Sequence, residues 1–291
     1  MTGSGANRFQ TGVAKRLYRW LWRGLGGAFV WLWVAFSLGI LAWIILAAFK
    51  RNDTVFADLW SLPDSIEGEN FSDAWGLLNL ARTSFNSVLT VGGGTFLTMA
   101  VSAPAAYALA RMGFRGAGGL TAFFAFGIGV PVHSIVIPLF LGLSEVGLSN
   151  SLTGLTIAYV GVSIPFAVFL MTGFFRSLPT ELEEAATMEG AKPVRVFFSV
   201  MLPLAKPGMV ATSLIVAVGL WNEFLLALTL TFDEAKRTIG IGLLNTFGAM
   251  RYTSNWVGLF AAVVIMIVPM TVLYTWMSRR IIEGLTVGAT R

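Results

Sequence analysis

The sequence is short of the residues that most protein chemistry uses. It contains no cysteine, a single histidine, and charged side chains at only 12% of its 291 positions. Without cysteine there is no disulfide framework and no thiolate metal site, and neither an HExxH pair nor a Cys/His cluster is present. The glycine-rich GxxxxGK[ST] loop that cradles phosphates is also absent. These absences argue against a metal-dependent enzyme and against ATP binding by this chain.

What the sequence has in abundance is apolar residues, which make up 56% of the chain. A composition this apolar is typical of integral membrane proteins. The apolar residues are gathered in runs of about 20 or more, the length that one α-helix needs to cross a bilayer. We therefore predict an all-α integral membrane protein with six transmembrane helices, over residues 28–49, 83–109, 120–141, 152–174, 207–230 and 256–277.

The polar segments between these runs complete the predicted organisation. They are an N-terminal segment 1–27, an extracytoplasmic loop 50–82, a membrane core 83–278 with a polar loop at 177–206, and a tail 279–291. The predicted inner segments hold 14 of the 20 lysines and arginines. Basic residues collect on the cytoplasmic side of membrane proteins, so both termini and the polar loop are predicted to be cytoplasmic. This bias also accounts for the net charge of +5 without a nucleic-acid partner.

The polar loop carries the signals of a short helix followed by a tight turn. Thr180 and Glu183 have the spacing of a capping box, and Gly190 can end the helix in the left-handed conformation. Pro193 then begins a second segment, which Leu202-Pro203 is expected to end. Two interpretations fit this pattern: a surface on which another protein docks, or an ordinary amphipathic helix at the membrane interface.

Glycine and proline inside the predicted spans indicate where helices pack or break. Gly92-Gly93-Gly94, in the second span, is followed by no lysine and is interpreted as a site of close helix packing. Pro165 is expected to kink the fourth span. His133 follows Pro131 in the third span, and we interpret it as a neutral, hydrogen-bonded residue at a broken helix.

A second polar cluster, Trp221-Asn222-Glu223, lies within the predicted fifth span. An acid in an apolar span is a candidate functional group, so the three residues are candidates for the translocation path. Trp221 would offer a ring on which a sugar can stack. The alternative is that these residues pair within the bundle and pack the helix against its neighbours.

The polar loop also contains a pattern spread over 20 residues: Glu184, Ala185, Ala186, Gly190, Leu202 and Pro203. This pattern resembles the EAA loop of ABC importer membrane subunits, with Val200 where that family usually has isoleucine. The resemblance implies that the six residues belong to a coupling helix, which sits in a cleft of a cytoplasmic ATPase.

Other segments resemble carbohydrate-uptake ABC permeases, in particular the smaller subunit of the maltose type. These segments are Phe85-Asn86-Ser87, Tyr107 to Arg111, Phe114-Arg115-Gly116, Pro165-Phe166, Trp221 to Phe224 and Gly284 to Ala289. The resemblance implies a type I ABC importer permease fold in the bacterial inner membrane and transport of a sugar or oligosaccharide. The implied partners are a second homologous permease, two cytoplasmic ATPases that hold ATP and magnesium, and an extracytoplasmic solute-binding protein. No cofactor is implied on this chain.

The residues alone leave another class of transporter open. Glu223 or His133 could carry protons in a self-contained secondary transporter, although each is isolated and the chain has no clear internal repeat. For the importer, Asp233 to Arg237 is a candidate contact with the binding protein, because it is charged and predicted to be exterior.

Overall fold

The computed structural model describes residues 6–77 and 79–289, with side chains described for 24–76, 79–248, 250–252, 254–269, 271–272 and 274–275. Every regular element in this part of the chain is helical, which confirms the predicted all-α class. The α-helices are α1 Ala6–Ala48, α2 Glu69–Leu77, α3 Leu80–Arg111, α4 Ala117–Ile128, α5 Val132–Glu145, α6 Leu152–Ser177, α7 Glu181–Met188, α8 Pro193–Val196, α9 Leu202–Leu204, α10 Lys206–Trp221, α11 Leu225–Leu230, α12 Ile239–Thr253 and α13 Trp256–Ala289. A π-helical turn, Phe197–Met201, joins α8 to α9, and a 3-10 turn, Glu234–Lys236, precedes α12.

Three helical segments are long and apolar enough to cross a membrane without interruption. They are Gly24–Ala48 within α1, all of α3, and all of α6. Two further candidates are bent pairs, α4 with α5 and the segment Pro193–Leu204 with α10. α13 begins with a shorter apolar stretch, Trp256–Pro269. By length and composition, the described residues therefore contain three to five candidate spans, where the sequence predicted six.

The prolines in the predicted spans act differently from one another. The third predicted span is broken, because the chain bends by 101° between α4 and α5. Pro131 precedes α5 with an extended backbone, and its missing N–H cannot continue the hydrogen bonding of α4. Pro165, in contrast, does not interrupt α6, which is one helix from Leu152 to Ser177. Pro165 therefore does not break the fourth span, in which the sequence predicted a kink.

The predicted fifth span is interrupted as well. α10 ends at Trp221, and α11 begins at Leu225 after three residues outside regular helix. At its other end, α10 is bent by 74° from the segment Pro193–Leu204. The helix that follows loop 177–206 is therefore shorter than predicted and ends at the polar cluster.

The centre of the molecule is the packing of α3 against α6, with α10 beside both. Gly94 lies where the three helices meet. A Cβ atom added to it would lie 3.2 Å from Leu220 Cδ1 and 3.3 Å from Tyr159 Cβ. The prediction that the triple glycine permits close helix packing is confirmed at this position.

α1 stands apart from this centre. Its main contacts are with α13, and none of the residues in its most apolar 18-residue stretch is buried within the chain. Apolar surface of this extent is covered by lipid or by another protein chain.

Two polar segments that the sequence predicts to be exterior, 50–82 and 232–255, contain helices that the sequence analysis did not predict, α2 in the first and α12 in the second. The terminal segments are helical too, since α1 begins at Ala6 and α13 ends at Ala289. The predicted boundaries at 27 and 279 therefore do not coincide with helix ends, while residues 1–5 and 290–291 lie outside the described residues.

Candidate functional site

Loop 177–206 contains the predicted helix and turn. α7 ends before Gly190, whose φ is +83°. The Gly190 N–H donates to Thr187 O at 2.9 Å, and the Ala191 N–H donates to Ala186 O at 3.1 Å. This pair of hydrogen bonds is the Schellman arrangement, which satisfies the last carbonyls of a helix and requires a left-handed residue. The prediction that Gly190 ends the helix in the left-handed conformation is confirmed.

The start of α7 is not capped as predicted. Thr180 already has helical backbone angles, with φ −77° and ψ −26°, and its side chain makes no capping hydrogen bond. A capping box needs an extended N-cap residue, so the prediction was wrong at this point. The Glu183 side chain is turned away from Thr180 and faces α3.

Glu183 belongs to a cluster that holds the loop against the ends of α3 and α6. Its carboxylate accepts a hydrogen bond of 2.7 Å from the Tyr107 hydroxyl and lies 3.7 Å from Arg111 Nε. The Arg111 side chain is only 8% exposed, and it also donates to the backbone carbonyls of Phe175 and Leu178. A cation at these last carbonyls of α6 is favoured by the helix dipole. One guanidinium thus joins three elements: α3, the end of α6, and α7.

Aromatic rings complete this cluster. The Tyr107 ring lies 5.7 Å from that of Phe175 and 5.1 Å from that of Phe197, measured between centroids. All three rings are buried. We call Tyr107, Arg111, Phe175, Glu183 and Phe197 the loop anchor. Tyr107 and Arg111 were noted only as part of a resembling segment, although two polar residues four positions apart at the end of an apolar helix share one face.

The second half of the loop begins as predicted and ends differently. Pro193 is the first residue of α8. Leu202-Pro203 does not end the segment, because α9 continues to Leu204 and the chain bends only at Ala205. The preceding π turn explains this, since the Leu202 N–H bonds five residues back to Phe197 O and Pro203 then starts a new turn, where no N–H is needed.

The six residues of the EAA-like pattern do not all face the same way. Ala186 and Leu202 are half-buried and pack against the core, while the other four are exposed: Glu184, Ala185, Gly190 and Pro203. Beside them, the loop exposes large apolar side chains, of which Met188 is 89% exposed. We call this set the exposed loop face: Leu182, Met188, Val194 and Phe198. A short, firmly anchored helix that presents apolar groups to the exterior is suited to bind another protein.

The cluster Trp221-Asn222-Glu223 lies at the break between α10 and α11. Glu223 accepts hydrogen bonds from the N–H groups of Leu226 at 2.7 Å and Ala227 at 3.2 Å. Its carboxylate therefore caps the N-terminus of α11. The Asn222 amide donates to Val218 O at 2.8 Å, at the end of α10. Trp221 is half-buried against two apolar clusters. These contacts are structural, and they leave the exposed Asn222 side chain facing outward from the core.

His133 lies in the first turn of α5, directly after the break at Pro131. Its side chain is exposed, and the described residues offer it no hydrogen-bond partner within the chain. The expectation of a broken helix is confirmed, and a hydrogen bond to the ring stays a prediction.

The loop from Asp233 to Arg237 is held in place from two sides. The Asn86 amide on α3 donates to Ala235 O at 3.0 Å and to Arg237 O at 2.9 Å. The Asn150 side chain accepts from the Asp233 N–H at 2.9 Å. The Ala235 N–H donates to the Asp233 carboxylate and, with Lys236 nearby, holds the pKa of that carboxyl below its ordinary value. The loop is therefore a fixed, charged feature of the surface.

Comparison with known proteins agrees with this arrangement. Residues 100–286 match the family described as binding-protein-dependent transport system inner membrane component. The diacetylchitobiose uptake system permease protein NgcG of Streptomyces coelicolor is 36% identical over 260 residues, which are 89% of this chain and 86% of that protein. The trehalose transport system permease protein SugB of Mycobacterium tuberculosis is 32% identical over 261 residues, 89% of this chain and 94% of that protein.

The fold also has a counterpart among solved structures. A chain from the crystal structure of a bacterial ABC transporter involved in the import of the acidic polysaccharide alginate matches with a TM-score of 0.76 at 22% identity, over 96% of this chain and 99% of that one. A chain of the MetNI methionine ABC transporter matches with a TM-score of 0.55 over 70% of this chain and 95% of that one. The family match and the relatives aligned along most of their length show that this chain belongs to the binding-protein-dependent transport system inner membrane component family.

Proposed function

We propose that this chain is a transmembrane permease subunit of an ATP-binding-cassette importer for a sugar or an oligosaccharide. The observation that carries the proposal is loop 177–206, which exposes large apolar side chains and which the loop anchor fixes to the ends of α3 and α6. Two of the relatives to which this chain is similar are named for the uptake of diacetylchitobiose and of trehalose. An oligosaccharide is therefore the substrate class that we test first.

In this proposal the exposed loop face docks on a cytoplasmic ATPase, with Glu184, Ala185, Ala186, Gly190, Leu202 and Pro203 forming the docking helix and its supports. ATP and magnesium are bound by two ATPase subunits, and this chain catalyses no reaction itself. Both termini and the loop lie in the cytoplasm in this proposal, which the bias of lysine and arginine supports. A second, homologous permease completes the pore, and an extracytoplasmic binding protein delivers the sugar.

The mechanism follows from how the loop is fixed. ATP binding draws the two ATPases together, and the ATPase that holds this chain moves the docked α7 with it. Because Arg111 joins α7 to α3 and α6, movement of the loop is passed to both helices. The helices then shift as packed bodies between two arrangements, which expose the path to one side of the membrane and then to the other. Trp221, Asn222 and Glu223 are our candidates for residues along this path.

The test is purification of this chain in mild detergent from its native membrane, followed by identification of the co-purifying proteins and reconstitution into vesicles. We expect a second permease and a phosphate-loop ATPase, and ATP-dependent uptake of an oligosaccharide when the binding protein is added. Recovery of a lone chain that transports without ATP would contradict the proposal.

Glu223→Gln distinguishes the importer from a proton-coupled transporter. Glutamine keeps one oxygen, which can accept the Leu226 N–H, and loses the second oxygen, which accepts the longer hydrogen bond from the Ala227 N–H. Glutamine cannot carry a proton. We therefore expect at least half of the wild-type transport rate, unaffected by collapse of the proton gradient while ATP is present. Loss of transport in Glu223→Gln together with loss on gradient collapse would favour proton coupling.

A further inference from the structure

A buried cation lies at the end of α1, far along the chain from loop 177–206. Lys50 is 4% exposed, and its ammonium donates to Asp58 O at 2.8 Å and to Ser61 Oγ at 3.1 Å. Among the described residues, no carboxylate forms an ion pair with it. An ammonium has three donors, so one N–H and the positive charge itself remain without a partner. A buried charge is stable when an opposite charge meets it, which indicates a missing anion.

An apolar groove of about 180 Å³ leads to this cation. One wall is a single face of α1, formed by Gly39, Ala42, Trp43 and Leu46, and the facing wall is Leu59 and Trp60. The wall on α1 follows the spacing of residues that share one helix face. The Trp43 indole N–H donates to Leu59 O at 2.7 Å, which fixes the outer loop against the helix.

The length of the groove is close to that of one lipid acyl chain. From Gly39 to Lys50 the helix rises about 16 Å. Half of the hydrocarbon core of a bilayer is about 15 Å thick. Trp43 lines the groove from α1 and Trp60 lines it from the facing loop, and tryptophan is enriched at membrane interfaces. The groove thus extends from the interface to near the middle of the bilayer.

A small polar recess continues beyond Lys50. It is lined by the residues Thr54, Ser61, Ser65 and Asp64, together with Arg51, which is paired with Asp53. The three hydroxyls of the recess already donate to acceptors within the chain. The remaining N–H of Lys50 is therefore the donor that we expect an anion to meet. The Asp64 carboxylate disfavours a headgroup of high negative charge and suits one phosphodiester, alone or with an amine beside it.

We propose that this groove binds one glycerophospholipid of the leaflet at the Lys50 end of α1. The phosphodiester lies at the Lys50 ammonium, and one acyl chain lies along Gly39, Ala42 and Leu46. The charge of the phosphodiester neutralises Lys50, and the acyl chain covers an apolar face that the chain itself leaves open. The lipid thereby joins α1 to the first outer loop.

The first test counts phospholipids that stay bound to the purified, assembled transporter, by native mass spectrometry after gentle activation. Lys50→Met removes the charge, and Gly39→Trp fills the groove from a position where an added Cβ meets nothing within 4 Å. The matched controls are Lys236→Met, the same change in a surface ion pair, and Gly27→Trp, in open space outside the groove on α1. We expect at least a threefold loss of retained phospholipid in both groove variants and in neither control. Wild-type retention in both groove variants would overturn the proposal.

A second test identifies what occupies the groove in the membrane. Because the chain has no cysteine, Ala42→Cys gives a unique attachment point for a benzophenone photocrosslinker in this subunit. Illumination should yield an adduct with the mass of a phospholipid. An adduct with a protein subunit instead would show that a partner chain fills the groove, and the lipid proposal would be wrong. Displacement of the retained phospholipid by inorganic phosphate alone would also contradict it, since the acyl chain is expected to contribute to binding.

Discussion

At the scale of single residues, the course of loop 177–206 is set at Gly190. An L-residue with a side chain at its φ of +83° costs about 1–2 kcal/mol, and more when the side chain is β-branched. In Gly190→Val we expect the turn to open and α7 to lose its direction, so that transport falls at least tenfold while the protein still inserts. Vesicle uptake and ATPase assays on the reconstituted complex measure this.

Gly190→Asn is the matched control, because asparagine adopts the left-handed conformation with less strain. No atom lies within 4 Å of a Cβ at this position, so any effect comes from the backbone and not from a clash. Equal activity in the valine and asparagine variants would show that the turn is not needed.

The Tyr107 hydroxyl is the polar contact through which α3 holds Glu183. A hydrogen bond to a charged group contributes about 1.5–3 kcal/mol, and Tyr107→Phe removes it while keeping the buried ring. We expect a several-fold drop in the ATPase activity that substrate stimulates, with little change in the amount of assembled complex. Tyr252→Phe serves as the control, because Tyr252 is 93% exposed. If both variants behave like wild type, the hydroxyl has no part in coupling.

Residue roles were predictable from sequence where the backbone decides them. Gly190 was predicted because only a left-handed residue closes that turn. Glu183 was assigned to a cap on local spacing, but its carboxylate meets Tyr107, which lies 76 residues away. Local pattern gives no sign of a contact that depends on how α3 and α7 meet in space.

At the scale of helices, the fit of α3 against α6 and α10 depends on Gly94. A leucine there would press against Tyr159 and Leu220, and overpacking of this kind costs about 1–3 kcal/mol. We expect Gly94→Leu to lower the melting temperature of the detergent-purified complex and to reduce its yield. Gly92→Leu, two residues away on an open face, should leave both unchanged. An unaltered melting temperature in Gly94→Leu would mean that the three helices can separate without loss.

Helix existence was predictable where an apolar run is long and uninterrupted, as in α3 and α6. Breaks were harder to predict, since Pro131 lies at a break between two helices and Pro165 lies within one, although both are in apolar runs. Pro165 differs from Pro131 in its surroundings. α6 packs against α4 there, and the Pro165 ring lies close to Gly127. α12 was missed because its sequence follows a charged loop and was assigned to the outer segment as a whole.

At the scale of the whole assembly, the exposed loop face is the surface by which we expect this chain to hold its ATPase. Burial of a methionine side chain contributes about 1.5–3 kcal/mol, and Met188→Asp replaces that gain with the cost of burying a charge. We expect at least a tenfold loss of co-purifying ATPase. Met112→Asp is the control, since Met112 is also exposed and follows α3 outside the loop. Full retention of the ATPase in Met188→Asp would place the interface elsewhere.

The bend between α4 and α5 has a consequence for how long the unassembled chain survives proteolysis in the cell. Gly129, Val130 and Pro131 are exposed in the isolated chain, and the helix ends beside them carry backbone groups that need partners. Irregular backbone at membrane depth is not tolerated against lipid and persists only where protein or water covers it. If the second permease that we propose covers this bend, a copy of the chain synthesised in excess would leave the bend uncovered. We therefore expect the half-life of this chain before proteolysis to rise with the amount of the second permease. Degradation of the excess would then keep the amounts of the two permeases equal.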